Sequence, residues 1–242
     1  MNKKIFKSDI KKYRGILNGG GLTEPPVKGG KWGKPQGTRK YQLRENGRPH
    51  PKVVSQYSKI INILSFNRGV VLDFGCSMAH ASFIFKERAP RSTYVGADLD
   101  FNALLAAKEV YNPKFLYKVK YGEPCLSYIK NNSIDLLIVS RLTNWSGVDN
   151  FFPEFNRVLK EGGHLFVWSN AGGCHSSLGH EVTKLKVYKY LKDNYKSYKM
   201  PGKDLESFSK ALWGDPNRHK RLSEEFTKEE RKKTFNGIFI KK

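Results

Sequence analysis

The chain has 242 residues, 38% of them hydrophobic and 13% aromatic, which is enough to bury a sizeable core and excludes wholesale disorder. No apolar run approaches the ~18–20 residues of a membrane-crossing helix, and Cys76, Cys125 and Cys174 are too few and too scattered for a disulfide framework, so a reducing, cytoplasmic setting is expected. The net charge of +22 is unevenly spread: residues 1–52 carry +11, residues 53–183 only +2, and residues 184–242 carry +9.

Residues 1–52 form a basic extension rich in glycine and proline, including Gly19-Gly20-Gly21, Pro25-Pro26 and Gly29-Gly30. That punctuation leaves no helical or strand period beyond a short basic helix near residues 7–17. From Val53 the pattern changes. Val53, Val54, Tyr57, Ile60, Ile61 and Leu64 fall at the spacing of an amphipathic helix. Strands and helices then alternate: strand Val70–Phe74, helix Ala79–Ala89, strand Thr93–Ala97, helix Phe101–Val110, strand Phe115–Lys120 and strand Ser133–Ser140. A helix over Asn150–Leu159, ended by Gly162-Gly163, leads to a strand at His164–Ser169. Beyond residue 183 the expected elements are helices near Thr183–Tyr195 and Leu222–Lys233 and a terminal strand at Gly237–Ile240. Such alternation predicts an α/β fold, a doubly wound and mainly parallel sheet.

Sheets of that kind bind ligands at the carboxyl ends of their strands. The first strand ends in Asp73-Phe74-Gly75-Cys76-Ser77-Met78-Ala79, where Gly75 lets a ligand approach the backbone and Ser77 and Ala79 are small. The second ends in Gly96-Ala97-Asp98, and a carboxylate there is placed to accept hydrogen bonds from ribose hydroxyls. An alternative reading gives Asp98 and Asp100 the shared task of capping the helix that begins at Phe101.

Four stretches in order carry a resemblance. Asp73-Phe-Gly-Cys-Ser is similar to "D-x-G-C-G", and Gly96-Ala-Asp98-Leu99 to "G-x-D-hydrophobic". The run from Gly122-Glu123 to Asp135 is similar to "G-D-A-x-x-L-P-F-x-D-N-S-F-D", and the run from Phe155 to Leu165 to "E-x-x-R-V-L-K-P-G-G-x-L". Over about residues 53–170 the chain thus resembles the class I S-adenosylmethionine-dependent methyltransferases, in particular the subgroup that includes quinone-biosynthesis enzymes. The resemblance implies a Rossmann-like sheet of seven strands with helices on both faces. It divides the chain into the extension 1–52 and a methyltransferase domain 53–242, whose residues 53–170 hold the cofactor and whose residues 171–242 face the acceptor.

The resemblance also implies site residues. Asp73, Gly75, Ser77 and Ala79 would cradle the methionine part of S-adenosylmethionine. Asp98 would hold the ribose, Leu99 would pack on the adenine, and Gly122 with Glu123 would reach the adenine amino group. Ser140 and Arg141 would line the point of methyl transfer. Arg141 and His80 are the catalytic candidates, although a His at a helix start is more readily a packed structural residue. The sequence after the fourth strand, Arg141-Leu142-Thr143-Asn144-Trp145, is unlike the N-P-P-Y segment of amino-group methylation, and Arg141 stands where RNA ribose methyltransferases of the Lys-Asp-Lys-Glu group have Asp. Pro124-Cys125 precedes the fourth strand, so Cys125 is expected to be buried rather than nucleophilic. The spacing of His164, Cys174, His175 and His180 matches no zinc pattern, and no metal is expected.

The expected function is methyl transfer to a small molecule. Two alternatives stay open: an RNA methyltransferase, and an inactive methyltransferase fold that binds RNA through its basic flanks. The flanks suit a polyanion because lysine and arginine release condensed counterions on binding it.

Overall fold

The structure, a computed structural model, describes residues 49, 51–119, 125–140, 148–168, 186–187, 189–198 and 237–242. Helix α1 (Pro51–Ile63) starts with proline at its first position, where the missing N–H is not needed. Strand β1 (Arg68–Phe74) runs into helix α2 (His80–Arg88), then β2 (Arg91–Asp98) and α3 (Phe101–Val110). They are followed by β3 (Phe115–Lys118), β4 (Ile134–Ser140), a 3-10 turn (Val148–Phe151), α4 (Phe152–Val158) and β5 (Leu159–Trp168). Residues 186–187 and 189–194 are helical, and β6 (Tyr195–Ser197) and β7 (Gly237–Lys241) complete the order.

The seven strands form one sheet in the order β3-β2-β1-β4-β5-β7-β6. The five strands from β3 to β5 are parallel, while β7 runs antiparallel to both β5 and β6. Each face of the sheet buries its own core, as a strand's period of two requires. Val71, Leu136, Ile138 and Phe166 meet α1, α2 and α3 through Ile60, Ile84, Phe85 and Leu104. Leu72, Leu137, Val139 and Val167 meet Phe152, Phe155 and Val158 of α4 together with Val187 and Leu191. Fully burying each such aliphatic or aromatic side chain stabilises the fold by roughly 1.5–3 kcal/mol. The sheet is therefore doubly wound. Among the described residues, no helix is long and apolar enough to cross a membrane.

Several boundaries differ from the sequence reading. The glycine pair does not end α4; the helix stops at Val158 and β5 begins at once. Leu159 pairs with Ile134 and His164 with Leu136, so Lys160–Gly163 bulge out of the ladder, with Gly162 at φ +70°. Glycine suits this excursion because its φ lies in the left-handed region. Strand β6 begins at Tyr195, where the sequence predicts the end of a helix over Thr183–Tyr195. The segments predicted as helices at 7–17 and 222–233 lie outside the described residues.

Candidate functional site

Parallel pairing puts the ends of β1, β2 and β4 at one edge of the sheet. Phe74 sits opposite both Ala97 and Val139, so Gly75, Asp98 and Ser140 emerge side by side. The turn after β1 stays tied to β2: the N–H groups of Gly75 and Cys76 both donate to Ala97 O, at 2.7 and 3.1 Å. Gly75, Ser77 and Ala79 all have left-handed backbones, with φ of 77°, 50° and 54°. Ala79 is thus the left-handed residue that precedes α2, not part of the helix. The turn keeps a glycine-type path with serine and alanine in it. A left-handed conformation costs an L-residue about 1–2 kcal/mol, and glycine returns part of that gain as unfolded-state entropy. Ser77→Gly is therefore expected to raise the stability to denaturant by up to about 1 kcal/mol. A fall in stability would show that the serine hydroxyl, and not the backbone, decides this position.

Asp98 and Asp100 have separate tasks. Asp100 caps α3, accepting the Ala103 N–H at 3.1 Å. Asp98 instead reaches back over the turn. Its Oδ2 accepts the Ser77 N–H at 2.6 Å, and its Oδ1 accepts the Asp100 N–H at 2.7 Å. The carboxylate thereby fastens the β1 turn to the end of β2. A carboxylate offers about four acceptor positions, so these two bonds are compatible with accepting ribose hydroxyls as well.

Beneath the turn lies a polar cluster within the core. Asp73 is 1% exposed and accepts hydrogen bonds from the Tyr94 hydroxyl at 2.8 Å and the Tyr57 hydroxyl at 3.5 Å. Burial pushes its carboxyl up to about 7, against the opposing pull of the Tyr94 hydrogen bond. Asp73 thus ties α1 and β2 to the end of β1 through two phenols. Cys76 is buried in the same cluster, and that burial pushes its thiol well up, leaving it without thiolate character.

His80 opens α2 and is 6% exposed. Its Nδ1 lies 3.1 Å from the Tyr111 hydroxyl, and its ring stands edge-on to the Tyr111 ring. That pairing gives it a packing role at the start of the helix. Ser140 ends β4 and accepts a hydrogen bond at 3.2 Å from Nε2 of Gln56, a residue of α1 that is 5% exposed. Leu99 packs partly buried against the core on the α4 face. Arg141, Gly122 and Glu123, together with Cys174, His175 and His180, lie outside the described residues. Cys125 is buried. Among the described residues no group of His, Cys, Asp or Glu is arranged to hold a metal ion.

The run from Phe155 to Leu165 has a structural task. Arg157 makes a two-pronged ion pair with Glu154 (Nε to Oε1 2.6 Å, Nη2 to Oε2 2.8 Å). The same guanidinium donates to the carbonyls of Leu126 and Ile129, both at 2.9 Å, and to Oδ1 of Asn131. Glu154 also accepts the Leu126 N–H. The pair clamps the loop that follows Glu123 in the chain onto α4. Asp135, the second acid of the 122–135 motif, accepts the Val70 N–H at 2.7 Å and pairs with Lys160, so it locks strands together rather than facing a ligand. Sequence reading overlooked Glu154, Tyr57, Tyr94 and Gln56. The first is visible in hindsight as an acid three residues before Arg157, the spacing of neighbours on a helix. The others read as ordinary core or surface positions.

The sheet order, the turn at the end of β1 and the acid at the end of β2 define the class I methyltransferase fold. Residues 72–167, from β1 through β5, match the family model of the methyltransferase domain. That segment is similar to a methyltransferase domain, and S-adenosylmethionine is the cofactor that the similarity implies. The residues fit this cofactor: a turn that keeps a glycine-type backbone, and beside it a carboxylate able to accept hydrogen bonds from hydroxyls. A search of curated proteins finds no sequence match. Among solved structures, the plantazolicin methyltransferase BpumL, determined with a pentazolic desmethylPZN analog and SAH, is similar with a TM-score of 0.50 and 12% identity, over 84% of this chain and 89% of its own. The PH0226 protein of Pyrococcus horikoshii OT3 is similar with a TM-score of 0.50 and 15% identity, over 62% of this chain and 82% of its own. At such identities the likeness is one of fold.

Proposed function

We propose that this protein transfers a methyl group from S-adenosylmethionine to a small-molecule acceptor. The observation that carries the reading is the Asp98 carboxylate, which fastens the left-handed Gly75–Ala79 turn at the carboxyl edge of a β3-β2-β1-β4-β5 sheet. When bound, the cofactor supplies an already activated methyl group on its sulfonium, so positioning contributes most of the rate. The chain's own residues then have three tasks. The turn Gly75–Ala79 receives the amino-acid end, with Asp73 tying α1 and β2 to the end of β1 before it. Asp98 orients the ribose, Leu99 flanks the adenine, and Glu123 with Gly122 meets the adenine edge. Ser140, held by Gln56, and Arg141 border the acceptor. A neutral serine–glutamine pair there suits hydrogen bonding to a small polar acceptor, and the sequence 141–145 lacks the residues that nucleic-acid methylation of amino groups or ribose employs.

Calorimetric titration with S-adenosylmethionine is expected to show saturable binding at or below about 1 mM, the upper end of ordinary enzyme–substrate constants. With methyl-labelled cofactor and a fractionated cell extract, label is expected in the small-molecule fraction. Absence of binding at millimolar cofactor would overturn the enzyme reading, and label confined to RNA would overturn the acceptor.

A further inference from the structure

We propose that the β3 edge of the sheet is a docking surface for single-stranded nucleic acid, with bases stacked on Tyr128 and phosphates held by the neighbouring lysines. Its test does not depend on the identity of the methyl acceptor. Tyr128 is the one exposed large hydrophobic side chain among the described residues, at 64% exposure. Its ring lies nearly parallel to that of Tyr117 on β3, with centroids 6.2 Å apart and 10° between planes. One face of Tyr128 is thus braced by a ring anchored in the sheet, and the exposure leaves the other face to a third ring. Two residues along β3, Phe115 lies on the same side as Tyr117, both packed partly buried against the core. The ammonium of Lys114 sits 5.1 Å from the Phe115 ring centroid.

The charge around these rings has one dominant sign. Among the described residues of 111–133 the charged side chains are Lys114, Lys118 and Lys130, and none is acidic. Lysines interleaved with partly exposed aromatics are what single-strand binding requires: the rings stack bases of any sequence and the ammonium groups track the backbone. A duplex hides its base faces and would gain only the lysine contacts. A peptide strand added to the edge is less favoured, because β3 is only four residues long and ends in Lys118, a charge of the kind that keeps edges from pairing. The net charge of +22 brings a polyanion to the surface, and the stacked tyrosines decide which polyanion stays.

The test uses the full chain and labelled oligonucleotides of about 12 nucleotides, within the site size of single-strand-binding folds. Fluorescence anisotropy is followed at rising salt with single-stranded RNA, single-stranded DNA and duplex. The single strands are expected to bind more tightly than duplex, and the RNA and DNA arms show whether the 2′-hydroxyl is read. Tyr128→Ala is expected to weaken single-strand binding about 10- to 100-fold, because base stacking on an aromatic is worth about 1–3 kcal/mol. Its salt slope should be unchanged, and Tyr128→Phe should bind as the parent does. The double variant Lys114→Ala, Lys130→Ala should instead lower the salt slope by about 2. The exposed position of Tyr128 means that the melting temperature should not move. Parental affinity in Tyr128→Ala, equal binding of duplex and single strand, or capture by anionic lipid vesicles with no oligonucleotide binding would each overturn the proposal.

Discussion

Asp98→Ala is expected to reduce the affinity for S-adenosylmethionine about 100-fold, because two separate contributions are lost together. The first is the acceptor that we propose for the ribose hydroxyls, where a charged hydrogen bond is worth about 1.5–3 kcal/mol. The second is the clasp itself. Without the carboxylate, the Ser77 and Asp100 N–H groups lose bonds of 2.6 and 2.7 Å, and the left-handed residues Ser77 and Ala79 lose the tie that over-determines their conformation. Asp98→Asn is the informative comparison. Its amide keeps one acceptor oxygen but turns a second N–H toward a donor, so affinity should fall by at least 10-fold. Calorimetry on folded protein, with melting temperatures recorded in parallel, checks both. A loss below about 3-fold in Asp98→Ala would remove Asp98 from the cofactor site.

Arg157→Ala is expected to lower the unfolding free energy by roughly 2–4 kcal/mol, the largest stability effect among the site-supporting residues. The guanidinium makes five hydrogen bonds to Glu154, Leu126, Ile129 and Asn131, and its removal leaves Glu154 with no counter-charge in that clamp. Glu154 is only 9% exposed and Arg157 28%, so water screens the pair weakly. The Arg157 hydrogen bonds hold the Glu154 carboxyl below its ordinary value. The sign of the pH dependence follows. In a folded state with a lowered pKa, the contribution is fully present above the ordinary carboxylate range and is lost as pH falls through the lowered value. The parent should therefore lose stability on acidification below that range, and Arg157→Ala should lose less. Urea denaturation across acidic and neutral pH tests this, and a loss below about 0.5 kcal/mol at neutral pH, the scatter of ordinary surface substitutions, would sink the clamp.

The "R-V-L-K" run serves a clamp, in which Arg157 and Glu154 act on a loop. The turn after β1, with serine at 77 and alanine at 79, retains the backbone path that glycines would take. Ser77 and Ala79 bear a strain there that Asp98 and the Ala97 carbonyl contain.

What the sequence determined by itself is the order of elements and the edge at which the site lies. Short apolar runs bounded by turns indicated β1 to β5, and α3 was located to the residue, because local hydrophobic patterning reflects burial. The uneven charge was equally plain. Tertiary structure decided the partnerships, since they join residues far apart in the chain. Asp98 and Asp100 are alike in sequence; only the return of the β1 turn, 21 residues earlier, makes one a clasp and leaves the other a helix cap. Tyr57 and Tyr94 meet Asp73 only when α1 and β2 flank β1. The short strand β6 exists because β7 offers it an edge, and no local pattern over three residues can specify that.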